Sequence, residues 1–255
     1  MKKVIIFLTT ILVLTIGAIF FIYREQSVAI LGYHSFIESE KRVEQNITDN
    51  MIMDIKIFEE QLKYLKKHNY KTLTMAEFEC FHRGECEIPR KSVLITMDDG
   101  YQSNYDLAFP LLKKYKMNAT VFYLGINEDG HNEQYMSKET LDKVQKKYPN
   151  ITIASHSYNL HIEGSINQSK EELIKDIKKQ KKIVSTRYYA YPFGAYNKKM
   201  INALKEEKYV MAFTFGPDKE HRKATRKDDK YKIPRLNISN DMPMWKFKIR
   251  INMPK

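Results

Sequence analysis

Short apolar runs alternate with segments of helical spacing along most of this 255-residue chain. Strands separated by helices favour parallel pairing, because parallel neighbours need a long crossover between them. The number of repeating units predicts an α/β fold that closes, or nearly closes, into a β/α barrel; an open doubly wound sheet is the alternative. The predicted strands cover 28–31, 92–97, 119–124, 151–155, 187–191, 209–214 and 231–236. The predicted helices cover 55–69, 75–82, 103–116, 138–147, 197–207 and a longer segment that follows Ser169.

Local signals support several of these helices. Thr74 with Glu77, and Ser169 with Glu172, have the spacing of a capping box, in which the groups of the first helical turn satisfy one another. Pro110 lies inside the third predicted helix. Because proline has no N–H and its ring clashes with the preceding turn, we expect it to kink or shorten that helix.

The first residues have the composition of a membrane segment. The run from Val4 to Tyr23 carries no charge and follows a basic start. About 20 apolar residues suffice to cross a bilayer as a helix. We therefore predict an uncleaved signal anchor over residues 1–24 and a domain over residues 25–255 on the extracellular face of the cell membrane. A cleaved signal peptide, which would make the protein secreted, is the alternative.

The formal net charge of the chain is +12. Such an excess suits nucleic acid, an anionic membrane surface or an acidic polymer, but export argues against nucleic acid. The chain has neither a G-x-G-x-x-G nor a G-x-x-x-x-G-K-[ST] motif, so a nucleotide cleft has no support. We interpret the charge as tolerance of a cell envelope rich in anionic polymers.

Cys80 and Cys86 are the two cysteines of the chain. An oxidising compartment would allow them to close a small loop, although so short a loop demands suitable geometry. Their pairing stays open at this point, and we assign them no role in the chemistry.

Polar side chains follow the predicted strands at their carboxyl ends. In β/α barrels the chemistry lies at this end of the strands. The residues collected there are Tyr33-His34, Asp98-Asp99, Ser155-His156, the run from Tyr191 to Gly194, and Pro234-Arg235. Because scattered surface residues would not fall at strand ends so consistently, we expect a shared site.

Two histidines and two adjacent carboxylates in this set suit a hydrolytic metal site. His156 and His161 can converge only if the strand ends near His156 and the chain turns back, a turn that Asn159 would suit. Two imidazoles and one carboxylate form a standard Zn²⁺ set with a position open for water, and Co²⁺, Ni²⁺ and Fe²⁺ are compatible. The second carboxylate could then act as general base. The alternative for the acidic pair is an ordinary helix cap after a strand.

His34 is a third histidine at a predicted strand end. It is a candidate general acid that would protonate a leaving amine. The alternative is a buried histidine that bonds to the backbone.

Five motifs, in order, resemble those of the polysaccharide deacetylases, also called carbohydrate esterase family 4. Within that family, the pattern is most similar to the poly-β-1,6-N-acetylglucosamine deacetylases of the intercellular-adhesion type, which act in biofilms. The matching stretches are Leu31 to His34, Met97 to Asp99, His156 to His161, Tyr191 to Gly194 and Ile233 to Arg235. The resemblance covers roughly residues 28–240, the expected core of the domain.

The resemblance implies a distorted (β/α)₇ barrel and a role for each motif. By this resemblance the metal ligands are Asp99, His156 and His161, the catalytic base is Asp98, and the general acid is His34. The backbone around Phe193, within Tyr191-Pro192-Phe193-Gly194, would stabilise the oxyanion. One departure is Ala190, where the wider family usually has an arginine that pairs with the base. We expect Arg235 to replace that arginine electrostatically.

These features together predict a membrane-anchored, metal-dependent N-deacetylase of an extracellular N-acetylglucosamine polymer. The expected substrate is poly-β-1,6-N-acetyl-D-glucosamine, and peptidoglycan or chitin-type oligomers are the alternatives. An inactive glycan-binding barrel is the rival from another class, and the intact acidic and histidine motifs argue against it.

Overall fold

The computed structural model describes Lys2, residues 25–215 and residues 222–252. The predicted membrane segment from Val4 to Tyr23 lies outside these residues. Within the described part of the chain, no helix is both long enough and apolar enough to span a bilayer.

The domain alternates strands with helices, as the sequence pattern predicts. The strands are β1 (Ser27–Tyr33), β2 (Ser35–Ile37), β3 (Ile52–Asp54), β4 (Lys71–Thr72), β5 (Ser92–Met97), β6 (Ala119–Tyr123), β7 (Ile151–Ser155), β8 (Tyr188–Ala190), β9 (Met211–Phe213), β10 (Ala224–Thr225) and β11 (Leu236–Asn237). The α-helices are α1 (Ser39–Glu44), α2 (Ile55–Lys67), α3 (Met75–His82), α4 (Phe109–Tyr115), α5 (Lys138–Lys147), α6 (Lys170–Ile183), α7 (Lys198–Glu206) and α8 (Met244–Asn252). Short 3₁₀ turns cover Gly125–Asn127, Ser165–Asn167 and Pro192–Gly194.

A curled and mainly parallel sheet forms the centre of the domain, in the order β1-β5-β6-β7-β8-β9. β4 adds to β5 and β10 pairs antiparallel with β1, while β2 and β3 form a separate pair. The segment that ends in β11 bridges the two edges, because Ile233 pairs with Phe213 of β9 and Leu236 pairs with Leu31 of β1. The sheet therefore closes into a barrel-like ring, which confirms the predicted β/α barrel over the open sheet.

Alternate residues of the strands enter two hydrophobic clusters on opposite faces of the sheet. In β1, Ile30 packs with Phe122 and Phe213 inside the ring, whereas Leu31 packs in the cluster that includes Phe58 of α2. Burial of both faces is expected of a parallel sheet that is covered by helices. Polar side chains can therefore reach solvent mainly where the strands end, which is where the candidate residues lie.

Most predicted elements agree with the structure, and both capping boxes are confirmed. The helix predicted over 103–116 is confirmed in extent, since residues 102–115 are helical throughout, but it is not a regular α-helix. A π-helical turn (Asn104–Ala108) precedes α4, and Pro110 lies in the first turn of α4. The π-helical turn lies directly before Pro110, as expected of a proline that has no N–H to pair with the preceding turn, so the predicted irregularity at Pro110 is confirmed.

The predicted strand 231–236 is also mostly irregular. Only Leu236 and Asn237 form a regular strand, and Ile233 makes an isolated bridge. Pro234 explains the interruption, since it cannot donate a hydrogen bond to a neighbouring strand. Cys80 and Cys86, whose pairing the sequence left open, form a disulfide with Cα atoms 5.5 Å apart.

Candidate active site

The two adjacent aspartates point to different partners because the chain turns sharply after β5. The Asp98 N–H donates to the Tyr33 carbonyl (2.9 Å) and so continues the pairing of β5 with β1. Asp99 and Gly100 then adopt left-handed conformations, with φ of +68° and +78°. A Cβ on Gly100 would lie 2.5 Å from the Tyr123 ring, so this turn requires glycine. The result is two carboxylates with separate surroundings.

Asp98 forms a bidentate pair with Arg235. The two terminal guanidinium nitrogens of Arg235 donate to Oδ1 and Oδ2 of Asp98 at 2.7 and 2.8 Å. Arg235 is itself buried, and its Nε–H donates to the Thr214 carbonyl (3.0 Å). Its guanidinium lies over the rings of Phe122 and Phe215, at 5.2 and 4.8 Å from their centroids. The orientation of the Asp98 carboxylate is therefore fixed.

The two carboxylates have opposite pKa shifts. Burial acts to raise the pKa of Asp98, but Arg235 and the nearby histidines outweigh it and lower the pKa to about 2. Asp98 is therefore ionised at neutral pH. Burial, together with the charge of Asp98, raises the pKa of Asp99. Asp99 thus lies where a cation would relieve an unfavourable charge.

Asp99, His156 and His161 converge at one point. Asp99 Oδ1 lies 3.4 Å from His156 Nε2 and 3.3 Å from His161 Nε2. Across the trio, all ligand atoms lie within 4.8 Å of one another. Asp99 Oδ1 is buried and accepts no hydrogen bond from the described residues. A buried oxygen without a donor, facing two imidazole nitrogens, fits a divalent metal ion.

The backbone fixes the His156 ring. Its Nδ1 lies 2.9 Å from the Ala190 carbonyl, and because a carbonyl only accepts, Nδ1 carries the proton. The lone pair of Nε2 is then free to bind a metal, as is usual for histidine ligands. Burial lowers the pKa of His156 to about 4, so the ring is neutral at neutral pH.

A tight turn after β7 brings His161 back beside His156. Sequence reasoning places this turn at Asn159, but the residue that adopts a left-handed conformation is Ser157 (φ +77°). Ser157 Oγ accepts the N–H of Leu160 (3.0 Å). The carboxylate of Asp176 accepts the N–H groups of the residues between, Tyr158 and Asn159. The two histidines therefore converge as predicted, and a carboxylate from α6 stabilises the turn that connects them.

His34 lies at the carboxyl end of β1, and its ring centroid is 5.2 Å from that of Phe215. Burial lowers the pKa of His34, although Asp98 and Asp99 oppose this shift. A cavity of about 710 Å³ opens beside it. The cavity is lined in part by Phe36, Ile37, Asp49, Tyr101, Asp106 and Gln134. His34 thus stands between the acidic pair and an open groove.

The four residues from Tyr191 to Gly194 contribute to the site unequally. Tyr191 is buried, and its hydroxyl donates to the Tyr231 carbonyl (2.9 Å). Gly194 is required, because a Cβ there would lie 2.0 Å from the Phe215 carbonyl oxygen. Phe193 has a φ of +55°, and its side chain is 56% exposed with its ring centroid 4.2 Å from that of His161. Of the motif's side chains, that of Phe193 therefore lies at the metal site.

A small apolar cavity of about 30 Å³ lies below Phe193. It is lined by Leu160, Ile162, Tyr189, Pro192 and Met200 among others. Its walls are apolar and it adjoins the histidine turn, so it suits a methyl group better than a polar one.

Sequence reasoning missed three contributors to this site. Phe122 and Phe215 enclose the Arg235 guanidinium, and Asp176 holds the histidine turn. In the sequence, Phe122 and Phe215 cannot be distinguished from ordinary hydrophobic core residues. Asp176 could have been noticed only as an acidic residue among lysines, next to the buried Ile177 of α6, which is a weak indication of a structural role.

The arrangement has the parts needed for metal-assisted hydrolysis. One trio of side chains can hold a metal, while a separate, ionised carboxylate can accept a proton. His34 lines an open groove, and a small, mainly apolar cavity is bordered by Leu160 of the histidine turn and by Phe193. This division of tasks is typical of sites in which a metal and a general base act on one water molecule.

Comparisons with known proteins agree with this geometry. The model of the family "Polysaccharide deacetylase" matches residues 86–212. A poly-β-1,6-N-acetyl-D-glucosamine N-deacetylase of Staphylococcus epidermidis is 32% identical, over 86% of this chain and 81% of the relative. A protein of the same name from Staphylococcus aureus is 30% identical over the same shares.

Solved structures share the fold. A deacetylase of Streptococcus pyogenes, PplD, superposes with a TM-score of 0.77 at 20% identity, covering 90% of this chain and 100% of its own. IcaB from Ammonifex degensii superposes with a TM-score of 0.70 at 23% identity, covering 89% and 97%. Together with the sequence matches, these results establish that the chain belongs to the polysaccharide deacetylase family.

Proposed function

We propose that this protein is a metal-dependent hydrolase that removes N-acetyl groups from poly-β-1,6-N-acetyl-D-glucosamine outside the cell. The observation that carries the proposal is the separation of the two aspartates: Asp98 is paired with Arg235, whereas Asp99 faces two histidines. The polymer is inferred from the names of relatives at about 30% identity that match most of the chain.

Asp99, His156 and His161 would hold the metal. Their donor set of one carboxylate and two imidazoles suits Zn²⁺, and Co²⁺, Ni²⁺ or Fe²⁺ would also be accepted. A bound divalent ion would polarise the acetyl carbonyl and lower the pKa of a water molecule. The burial of Asp99 Oδ1 without a donor supports this assignment.

Asp98 would accept the proton of the attacking water. Its pKa of about 2 keeps it ionised throughout the neutral range. The bidentate pair with Arg235 limits its basicity but fixes its direction, and a fixed acceptor saves the cost of orienting a free one. Arg235 is thus a positioning residue, in the role that sequence reasoning assigned to it.

His34 would supply a proton to the leaving amine. It lies on the groove side of the site, and its lowered pKa makes the protonated ring a ready donor. Peptide N–H groups near Phe193 would stabilise the oxyanion. The small apolar cavity beside Phe193 would take the acetyl methyl group.

The groove beside His34 would hold neighbouring sugar units of the polymer. Its volume of about 710 Å³ falls within the range of ligand sites, ~300–1,000 Å³. Each acetyl group removed exposes an amine that is protonated at neutral pH. The product is therefore cationic and would bind to anionic cell surfaces.

We also propose that residues 1–24 form a membrane anchor, with the catalytic domain on the extracellular face. The support is the uncharged run from Val4 to Tyr23 behind a basic start. The disulfide between Cys80 and Cys86 is compatible with an oxidising compartment. Protease treatment of intact cells should remove the domain if this orientation is right.

The direct test is release of free amines from defined oligomers by the full chain in detergent. β-1,6-linked N-acetylglucosamine oligomers should react faster than β-1,4-linked oligomers. A chelator should stop release, and added Zn²⁺ should restore it. Faster reaction of β-1,4 oligomers would point to peptidoglycan or chitin-type substrates. If the protein bound the oligomers without releasing amines, and Asp98→Asn did not change this binding, the protein would be an inactive glycan-binding barrel.

A further inference from the structure

One carboxylate on helix α6 ties down the turn that carries His161. Asp176 Oδ2 accepts the N–H of Tyr158 at 2.9 Å, and Oδ1 accepts the N–H of Asn159 at 2.7 Å. Both oxygens of the side chain are used, each on a different peptide of the turn. Hydrogen bonds to an ionised acceptor are about twice as strong as those between neutral groups.

A second side chain of the same helix supports the other end of the turn. Gln180 lies one helical turn after Asp176, and its Nε2 donates to the Tyr123 carbonyl (2.8 Å). That carbonyl also accepts the N–H of His156 (2.9 Å). One face of α6 therefore contacts the middle of the histidine turn directly, through Asp176, and its start indirectly, through the Tyr123 carbonyl.

The three metal-binding side chains differ in what holds them. Asp99 follows directly from β5, and His156 is fixed through Nδ1 by the Ala190 carbonyl. His161 lies beyond the turn, six residues after the end of β7 at Ser155. Its position depends on the path of residues 157–160, which lie outside any strand or helix. The N–H groups of Gly125 and Ile126 hold the first part of this path, because they donate to the Ser157 and Tyr158 carbonyls at 3.0 and 2.8 Å, and Asp176 holds the N–H side.

We propose that Asp176 is a positioning residue for metal binding, whose two hydrogen bonds fix the Tyr158–Asn159 part of the 156–161 turn so that His161 faces Asp99. The inference rests on the metal site of the proposed function and is independent of the polymer. Residues that orient metal ligands typically contribute about 10- to 100-fold to metal affinity.

The test is a competition titration of Zn²⁺ against a chromophoric chelator, with the full chain in detergent. Asp176→Asn keeps the shape but replaces one acceptor oxygen by an NH₂ group, which would face a peptide N–H. We expect Zn²⁺ to bind roughly 10- to 100-fold more weakly. Asp176→Glu, which keeps both acceptors, should recover part of the loss.

The matched control is Glu172→Ala in the same helix. Glu172 completes the capping box of α6 and does not touch the turn. This variant should lower the melting temperature yet keep the wild-type affinity for Zn²⁺. Wild-type affinity in both Asp176 variants, or equal weakening in Glu172→Ala, would overturn the inference.

The outcomes also separate this inference from the proposed function. If the wild-type chain binds Zn²⁺ but releases no amines from the polymer, the proposed substrate is wrong and the Asp176 result still holds. If the wild-type chain binds no Zn²⁺ at all, both proposals fail.

Discussion

Arg235 holds Asp98 through two parallel hydrogen bonds of 2.7 and 2.8 Å, with both side chains buried. The family resemblance of the sequence predicts such an arginine at the position that is Ala190 here. In this chain the charge comes instead from the segment that closes the barrel, just before β11. The Ala190 carbonyl, meanwhile, fixes the His156 ring. Two different segments thus orient the base and a metal ligand: the segment before β11 orients Asp98, and the end of β8 orients His156.

Arg235→Lys should reduce turnover while leaving metal binding intact. Lysine keeps the positive charge but cannot form the bidentate pair, so the Asp98 carboxylate would lose its fixed direction. We expect kcat to fall roughly 100-fold, the scale seen when a reacting group is misplaced by about 1 Å. Steady-state kinetics with Zn²⁺ at saturation measure this. Arg187→Lys is the matched control, because Arg187 also donates to both oxygens of a buried carboxylate, that of Glu79, and an equal loss there would refute the specific role of Arg235.

Asp98→Asn and Asp99→Ala should separate base from ligand. Asparagine at 98 keeps the shape but cannot accept a proton, so turnover should fall roughly 100- to 10,000-fold with Zn²⁺ still bound. Alanine at 99 removes a ligand, so Zn²⁺ should be lost. Metal content and amine release are measured on the same preparations. Loss of Zn²⁺ in Asp98→Asn, with Zn²⁺ retained in Asp99→Ala, would show that the roles of base and ligand are reversed. Full activity of both variants would show that the Asp-Asp-Gly turn has only a structural role.

The parts of the fold that follow from local pattern were predictable from the sequence. The run of β5, the run of β7 and the capping box at Thr74 depend on residues close together in the chain, so periodicity and spacing identify them. The grouping of polar residues at strand ends likewise follows from parallel pairing alone. These two kinds of signal were enough to bring Asp99 and both histidines together.

What escaped prediction depends on contacts distant in sequence. The histidine turn, for example, is bonded to residues far from it in sequence: Asp176 accepts the N–H groups of Tyr158 and Asn159, and the N–H of Gly125 donates to the Ser157 carbonyl. The Arg235 guanidinium lies over the rings of Phe122 and Phe215, and these three residues are far apart in the chain, so no local pattern predicts their contact. The short pair β2 and β3 has too few residues for a readable alternation.

The Asp98–Arg235 pair should make the metal-free protein sensitive to acid. The folded pKa of Asp98 is about 2, against an ordinary value of 3.8. A lowered carboxyl pKa stabilises the fold above the ordinary value, and the stabilisation is lost as pH falls toward the folded value. Its full size is about 2 kcal/mol, at about 1.4 kcal/mol for each unit of pKa.

Urea unfolding with chelator present measures this effect at pH 5 and pH 3. The wild-type free energy of unfolding should drop by about 1 kcal/mol more than that of Asp98→Asn over this interval, because the variant has no carboxyl to protonate. Titrating groups remote from Asp98 are common to both proteins and cancel in the difference, whereas Asp99, His34 and His156 interact with the Asp98 charge and contribute to it as parts of the same cluster. Identical pH dependence of the two proteins would show that the pair does not lower the Asp98 pKa.

Phe193→Ala should weaken substrate binding without weakening the fold. The ring is 56% exposed and lies against His161, so it can contact a bound sugar while contributing little buried area. An aromatic contact contributes about 0.5–1.5 kcal/mol, which corresponds to a roughly 2- to 10-fold rise in KM. The melting temperature should stay close to wild type, as for most exposed substitutions. Trp245→Ala on α8, where the side chain is 63% exposed, is the matched control. An equal rise in KM in both variants would indicate that the polymer binds nonspecifically to exposed aromatic side chains, and would contradict a specific role of Phe193 in substrate binding.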